Sequence, residues 1–290
     1  SRVAVKVADG CDAFCTYCIV PYARGMPRSV PARDIIQEVE GLVGAGVSEV
    51  VLTGINIGGY DSSGMRLEGL VREVAATGIP RLRLSSVEPL DLTSALLGVL
   101  GSVPNVCPHL HVPMQSGSDE ILARMGRRYT AAEYAERIAR AREAIPGLAV
   151  TSDVIVGFPG ETESDFGRTV DLAEETGLTR LHVFRYSPRA NTPAAEMCGQ
   201  VDSATSARRA SALRDLDADL RSTYVEMRLG GLADMLVERI VLDGDGVPYA
   251  RGTTGDYLTV HTLAGGLSAG EIAGVRLISY SDGELLAERL

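Results

Sequence analysis

The sequence predicts an α/β protein: a curved, partly open barrel of six βα units, followed by a small all-β barrel. Three observations carry this. From residue 2 to about 187, short β-rich runs alternate with amphipathic helical stretches. After Gly230 and Gly231 the helical period vanishes. The remaining residues break into short β-runs at Gly and Asp turns such as Asp243-Gly244-Asp245-Gly246.

The elements follow in order. RVAVKV (2–7) reads as the first strand, and the next helix puts Ile35, Val39, Leu42 and Val43 on one face before Gly44 and Gly46 end it. SEVVLTG (48–54) is the second strand, with a helix around 66–76. RLRLSSV (81–87) precedes a helix near 92–100, and VCPHLHV (106–112) precedes one near 118–126. Thr130 with Glu133, and Thr162 with Asp165, have capping-box spacing at two helix starts. LAVTSDVIVGF (148–158) and RLHVFRY (180–186) are the fifth and sixth strands, and 202–228 is a long charged helix. Alternating β and α implies a parallel sheet, with chemistry in the loops at the carboxyl ends of the strands. Spacing alone leaves a doubly wound sheet open as the alternative. The domains divide as 1–222, with the outer helix, and 223–290.

Composition narrows the class. In 290 residues, 45% are hydrophobic and 23% charged, which is ordinary globular usage. No apolar run approaches the ~18 residues of a membrane span, and SRVAVKVADG lacks a signal-peptide layout, which argues for a cytoplasmic protein and no membrane partner. The start at Ser1 suggests a piece of something longer. The formal charge is −10, and Lys6 is the only lysine. Arg binds phosphate bidentately and stacks on bases, so an RNA partner stays open despite the charge. Five cysteines, an odd number, make a disulfide framework improbable.

Three of those cysteines carry the chemistry. Cys11, Cys15 and Cys18 form C-x3-C-x2-C in the loop after the first strand. A structural zinc site wants four protein ligands, and this loop gives three. An iron–sulfur cube held by three thiolates keeps one iron open for a cofactor. Cys107 and Cys198 stand alone and read as structural thiols.

This motif, in this position of a six-fold βα array, resembles the radical SAM superfamily. The resemblance implies a [4Fe-4S] cluster whose open iron chelates the amino and carboxylate groups of S-adenosylmethionine, and a 5′-deoxyadenosyl radical made by reductive cleavage of a carbon–sulfur bond. GCDAFCTYCIVPYARG (10–25), LTGINIGGY (52–60), LSSVEP (84–89), HLHVPMQSGSD (109–119), MGRRYT (125–130), DVIVGFPGETESDF (153–166) and HVFRYSPRANTPAAEM (182–197) resemble the methylthiotransferases, which replace C–H by C–S–CH3. These motifs span nearly all of residues 2–198. The tail is similar to the RNA-binding TRAM domain of that family. LHVPMQSGSDEILARMGRRYT looks like the tRNA branches, and LTGINIGGY and LHVFRYSPRANTPAAEM most like the subgroup acting on N6-threonylcarbamoyladenosine at position 37. Isopentenyladenosine or a ribosomal protein aspartate is the alternative substrate.

Roles then follow as what the resemblance implies. Cys11, Cys15 and Cys18 bind the cluster; Phe14 and Tyr17 pack over it, Tyr17 near the adenine. Thr53, Gly54 and Asn56 contact the methionyl amino group. Ser85 and Glu88 end the third strand, Glu88 facing a ribose hydroxyl or the sulfonium. Gln115, Ser116 and Gly117 point into the mouth. Asp153, in an otherwise apolar strand, needs a partner, as site scaffolding or paired with an Arg. Gly157, Phe158 and Gly160 form a bend suited to the adenine or its ribose. Arg24, Arg28, Arg127 and Arg128 are candidates for RNA phosphates, whereas His109, His111 and His182 read as core histidines. Implied partners are the tRNA anticodon stem-loop and an electron donor such as flavodoxin or ferredoxin; the sulfur source stays open.

Two features depart from the family. Its N-terminal domain, with three further cysteines and a second [4Fe-4S] cluster, has no counterpart here, so that cluster is expected only in a full-length protein. Residues 222–290 hold five Arg against ten Asp plus Glu, 5 − 10 = −5, a poor balance for phosphate binding. A non-catalytic zinc-containing RNA-binding module is the reading from another class.

Overall fold

The computed structural model describes residues 2–281 and 283–290. Six parallel strands, β1 (Arg2–Asp9), β2 (Glu49–Gly54), β3 (Arg81–Leu84), β4 (His109–His111), β5 (Ala149–Val156) and β6 (Arg180–Arg185), lie side by side in chain order. Val51 pairs with Ala4 and Arg83, His111 with Thr151, and Asp153 with His182. The parallel bridges Leu82–Val106 and Ser86–His111 join β3 to β4. A doubly wound sheet would reverse strand order at a switch point. This one never does, and no β6–β1 pairing occurs among the described residues, so the barrel is open along one side.

Helices cover the outer face: α1 (Val20–Arg24), α2 (Ala32–Gly44), α3 (Leu67–Ala76), α4 (Ser94–Ser102), α5 (Asp119–Arg124), α6 (Ala131–Ala144), α7 (Glu163–Glu175) and α8 (Ser203–Arg228). The predicted stripe on α2 is the one that packs: Ile35 and Val39 are fully buried, with Leu42 and Val43 against the same core. Both capping boxes form, Thr130 with Glu133 and Thr162 with Asp165. Between sheet and helices lies a single large core that includes Val5, Val7, Val50, Leu52, Leu82 and Leu84.

Inside the barrel the base layer is charged. Arg2, Glu49 and Arg81 sit level across three strands, and Ala4, Val51 and Arg83 form the next layer. Glu49 is wholly buried, with Oε1 2.6 Å from Arg2 Nε and 3.1 Å from Arg83 Nε, and Oε2 2.7 Å from Arg81 Nη2. Burial pushes its carboxyl up; the charges of Arg83, Arg81 and Arg2 more than offset that and hold it below the usual range.

Strands β7 (Leu232–Leu242), β8 (Pro248–Thr254), β9 (Thr259–Leu263), β10 (Ile272–Ser281) and β11 (Glu284–Arg289) close into the small barrel in the order β7-β8-β9-β11-β10. Closure leaves no exposed edge. The 222/223 division falls inside the unbroken helix α8, where side chains change core: Leu213, Leu216 and Leu220 pack in the first, Tyr224 and Val225 in the second. The small barrel sits against the amino-terminal end of the parallel strands. Arg81 donates to the Thr253 and Thr254 carbonyls, at 2.9 and 3.0 Å, and Arg83 donates to Gly255 O at 2.9 Å.

Candidate active site

The cysteine loop leaves β1 through Gly10, at φ +79°, where a Cβ would lie 2.1 Å from the Met26 carbonyl oxygen. Only glycine fits that approach. The Cys11 amide donates to Gly25 O at 3.0 Å, and the Cys18 amide to Cys15 O at 2.9 Å. Thr16 ties the loop to the end of α5, donating from N to Met125 O at 2.9 Å and from Oγ1 to Arg124 O at 2.8 Å. All three cysteines are free thiols. Burial raises Cys11 and Cys18, and each feels the neighbouring thiols of the loop. Among the described residues no three Cys, His, Asp or Glu side chains yet meet at one point. The donor set is nonetheless what an iron–sulfur cube takes: three unpaired sulfurs from one anchored turn, with no disulfide to compete. Metal binding would deprotonate them.

Beside Cys15 a small cavity of about 120 Å³ is lined by Asp12, Asn56, Glu88, Asp91 and Arg127. Arg127 bridges it, donating to Glu88 Oε2 and, at 3.3 Å, to Cys15 Sγ, with its guanidinium 4.9 Å from the Tyr129 ring centre. Asn56 adopts φ +49°, and its buried Oδ1 has no hydrogen-bond partner among the described residues. Burial, then Glu88 and Asp12, push the Asp91 carboxyl up to about 6.

A larger cavity, about 490 Å³, fills the barrel interior. Ser85 lines it, and its buried Oγ lacks a partner among the described residues. Asp153 lies 3.2 Å from His111 Nε2, so its partner is a histidine of the next strand. His182 stands across, its ring centre 5.5 Å from that of His111. Tyr257 of the small barrel forms the floor, stacked under Arg83 at 4.2 Å and beside His109 at 4.8 Å.

Several expectations change. Arg127 is buried and ion-paired, so it is part of the cysteine-loop scaffold and no phosphate reaches it; Arg24, Arg28 and Arg128 remain exposed. His182 is exposed to the cavity and is no core residue; His109 is buried, held by Thr151 Oγ1 at 3.2 Å. Phe14, at φ +48° and half exposed, turns outward against Tyr22. Cys198 is exposed. The Gly157–Gly160 bend faces protein: a Cβ on Gly157 would lie 2.1 Å from Ser206 Oγ of α8, and one on Gly160 2.7 Å from the Arg124 guanidinium carbon. Gly54 likewise serves strand packing, where a Cβ would lie 2.4 Å from Ala8 O. Thr53 stands level with Lys6 of β1. Gln115, at φ +64°, bridges to Val154 on β5 through its backbone. Tyr17 and Phe158 meet edge to face at 6.3 Å, Phe158 fully buried between Tyr17 and Tyr186. The sequence motifs do not reach Asp91, Tyr257, Arg81 or Arg83. The two arginines had a signal, alternate positions of one short strand in RLRL, whereas Tyr257 sits in a turn of the other barrel.

Comparison with known proteins adds the family. The model of the radical SAM superfamily matches residues 5–173. The threonylcarbamoyladenosine tRNA methylthiotransferase MtaB of Bacillus subtilis is 37% identical over 99% of this chain and 65% of its own length. A tRNA-2-methylthio-N(6)-dimethylallyladenosine synthase of Sphingopyxis alaskensis is 40% identical over the same shares, so this chain spans about two thirds of such relatives, 65%. The fold is also that of the radical S-adenosylmethionine methyltransferase TsrM of Kitasatospora setae, with TM-score 0.57 and 19% identity over 66% of this chain and 38% of that one. The chain belongs to the radical SAM superfamily and takes that superfamily's cofactors, a [4Fe-4S] cluster and S-adenosylmethionine.

Proposed function

We propose that this chain is the radical-forming part of a cytoplasmic tRNA methylthiotransferase, acting on N6-threonylcarbamoyladenosine beside the anticodon. The observation that carries it is the anchored loop of Cys11, Cys15 and Cys18 at the carboxyl end of β1, with Cys15 opening on the polar cavity of Asp12, Asn56, Glu88 and Arg127. The relatives' names support methylthiolation of tRNA, and the motifs around Asn56 and His182 favour the threonylcarbamoyl branch.

The cluster and S-adenosylmethionine supply the radical that opens a C–H bond. The protein's own side chains do the rest. Cys11, Cys15 and Cys18 would hold the cluster, and Arg127 orients Cys15 while keeping Glu88 in line. The unpartnered Asn56 Oδ1 and Ser85 Oγ give S-adenosylmethionine two hydrogen-bond partners, with Thr53 at the same strand end. The Tyr17–Phe158–Tyr186 cluster excludes water from the far side of the cysteine loop. In this reading residues 1–222 form the radical domain, and 223–290 serve as its floor more than as an RNA grip. An external one-electron donor of the flavodoxin or ferredoxin kind would supply the electron for radical formation, a second S-adenosylmethionine the methyl group, and a separate source the inserted sulfur.

The test is anaerobic reconstitution with iron and sulfide, followed by reduction with S-adenosylmethionine. About four irons per chain and release of 5′-deoxyadenosine are expected, both lost in Cys15→Ala. Stoichiometric zinc without either result overturns the reading.

A further inference from the structure

The interior cavity holds positive charge that its own carboxylates leave unmatched. Of its charged lining groups, Arg83 is paired with Glu49, and Asp256 with Arg228 at 2.7 Å. That leaves Arg180 and Arg221 against the single carboxylate of Asp153, which faces His111. Neither guanidinium has a hydrogen bond or ion pair among the described residues, in a chain whose formal charge is −10. The two come from different elements, Arg180 from the start of β6 and Arg221 from α8. Arg180 is level with Thr151 in the register and His182 with Asp153, which sets these side chains along one wall.

A ligand filling this cavity displaces water from both arginines. Arg180 is exposed and Arg221 half-buried, so an apolar group would strip part of their water without pairing either charge. A group carrying a carboxylate, with N–H or O–H donors for Asp153, satisfies them all. We infer that this cavity reads the N6 substituent of the adenosine through its carboxylate, with Arg180 and Arg221 as specificity-determining residues. This rests on the methylthiotransferase reading and deepens it: the threonylcarbamoyl group has a carboxylate, a hydroxyl and amide N–H groups, whereas a dimethylallyl group has no polar atom.

The same chemistry has two other sources, the methionyl carboxylate of S-adenosylmethionine and the RNA phosphates, and the test separates them. Equilibrium binding to the reconstituted chain is measured for three anticodon stem-loop RNAs, carrying the threonylcarbamoyl acid, its methyl ester, or dimethylallyl. Their phosphates are identical. The acid is expected to bind about 10-fold tighter than the ester, as one charge-assisted pairing requires. In Arg221→Met, and in Arg180→Met, that ratio falls toward one while ester affinity and S-adenosylmethionine affinity hold. Equal binding of acid and ester by the unaltered chain overturns the inference whether or not the variants fold. So does loss of S-adenosylmethionine affinity in Arg221→Met with the ratio kept. Failure to bind any of the three RNAs instead sinks the tRNA reading on which the inference rests.

Discussion

The guanidinium of Arg127 stands between Cys15 and Glu88, one nitrogen 3.3 Å from the sulfur and another on the carboxylate. A single side chain thus couples the cysteine loop to the end of β3. Arg127→Leu removes a nearly buried cation and leaves Glu88, about one third exposed, without its partner. A fully buried pair would cost more; the exposure of Glu88 reduces the expected loss to about 2 kcal/mol. Arg127→Lys keeps the charge and loses the fork, so it recovers only part. Urea denaturation measures the stability, and iron content after reconstitution falls in the same order if Arg127 orients the loop.

Glu49 holds three arginines at the base of the barrel, and each also reaches the small barrel, Arg2 at Glu238 and Arg81 and Arg83 at the Thr253–Gly255 carbonyls. Glu49→Gln leaves buried cations uncompensated and is expected to cost about 3–5 kcal/mol. The pH dependence has a definite sign. The folded carboxyl lies below its ordinary 4.5, so its contribution is complete above that value and is lost as pH falls through the lower folded one. Thermal midpoints of the unaltered chain therefore fall below pH 4.5 more steeply than those of Glu49→Gln.

What could be read from the sequence had local causes. The six strands, both capping boxes and the cysteine loop each depend on residues within a few positions, and Ile35 and Val39 announce their face by helical spacing alone. The long-range partners were hidden. Asp153 needed a partner, but that it is His111 follows from the register of β4 on β5. Gly157 looked open for a ligand because nothing local shows that α8, about 50 residues later, puts Ser206 there. Arg127 carried no sign that it turns inward to Cys15.

Asp91 gives a pH effect of the opposite sign to Glu49. Burial and the charges of Glu88 and Asp12 raise its carboxyl to about 6 from an ordinary 3.8. The folded protein thus holds the proton longer than the unfolded chain, and stability falls as pH rises through that interval. Asp91→Asn should flatten the urea midpoint between pH 4 and 6 and raise it at pH 7. An unchanged slope in that range would show that Asp91 titrates normally.

Gly157 and Ser206 make a contact that a double variant can isolate. Gly157 sits at φ +74°, and a Cβ there would lie 2.1 Å from the Ser206 hydroxyl and 2.9 Å from its Cβ. Two costs therefore meet in Gly157→Ala: about 1 kcal/mol for the left-handed backbone, and about 1–3 kcal/mol for overpacking against α8. The first is intrinsic to alanine, while the second exists only because Ser206 fills the space. Ser206→Gly removes the obstructing side chain, so it should return the packing part in the double variant and leave the backbone part. Measured by urea denaturation, the double variant is expected to be more stable than Gly157→Ala plus Ser206→Gly summed, by about 1 kcal/mol or more. Simple additivity would mean that the helix moves aside, and that the end of β5 is not set by its contact with α8.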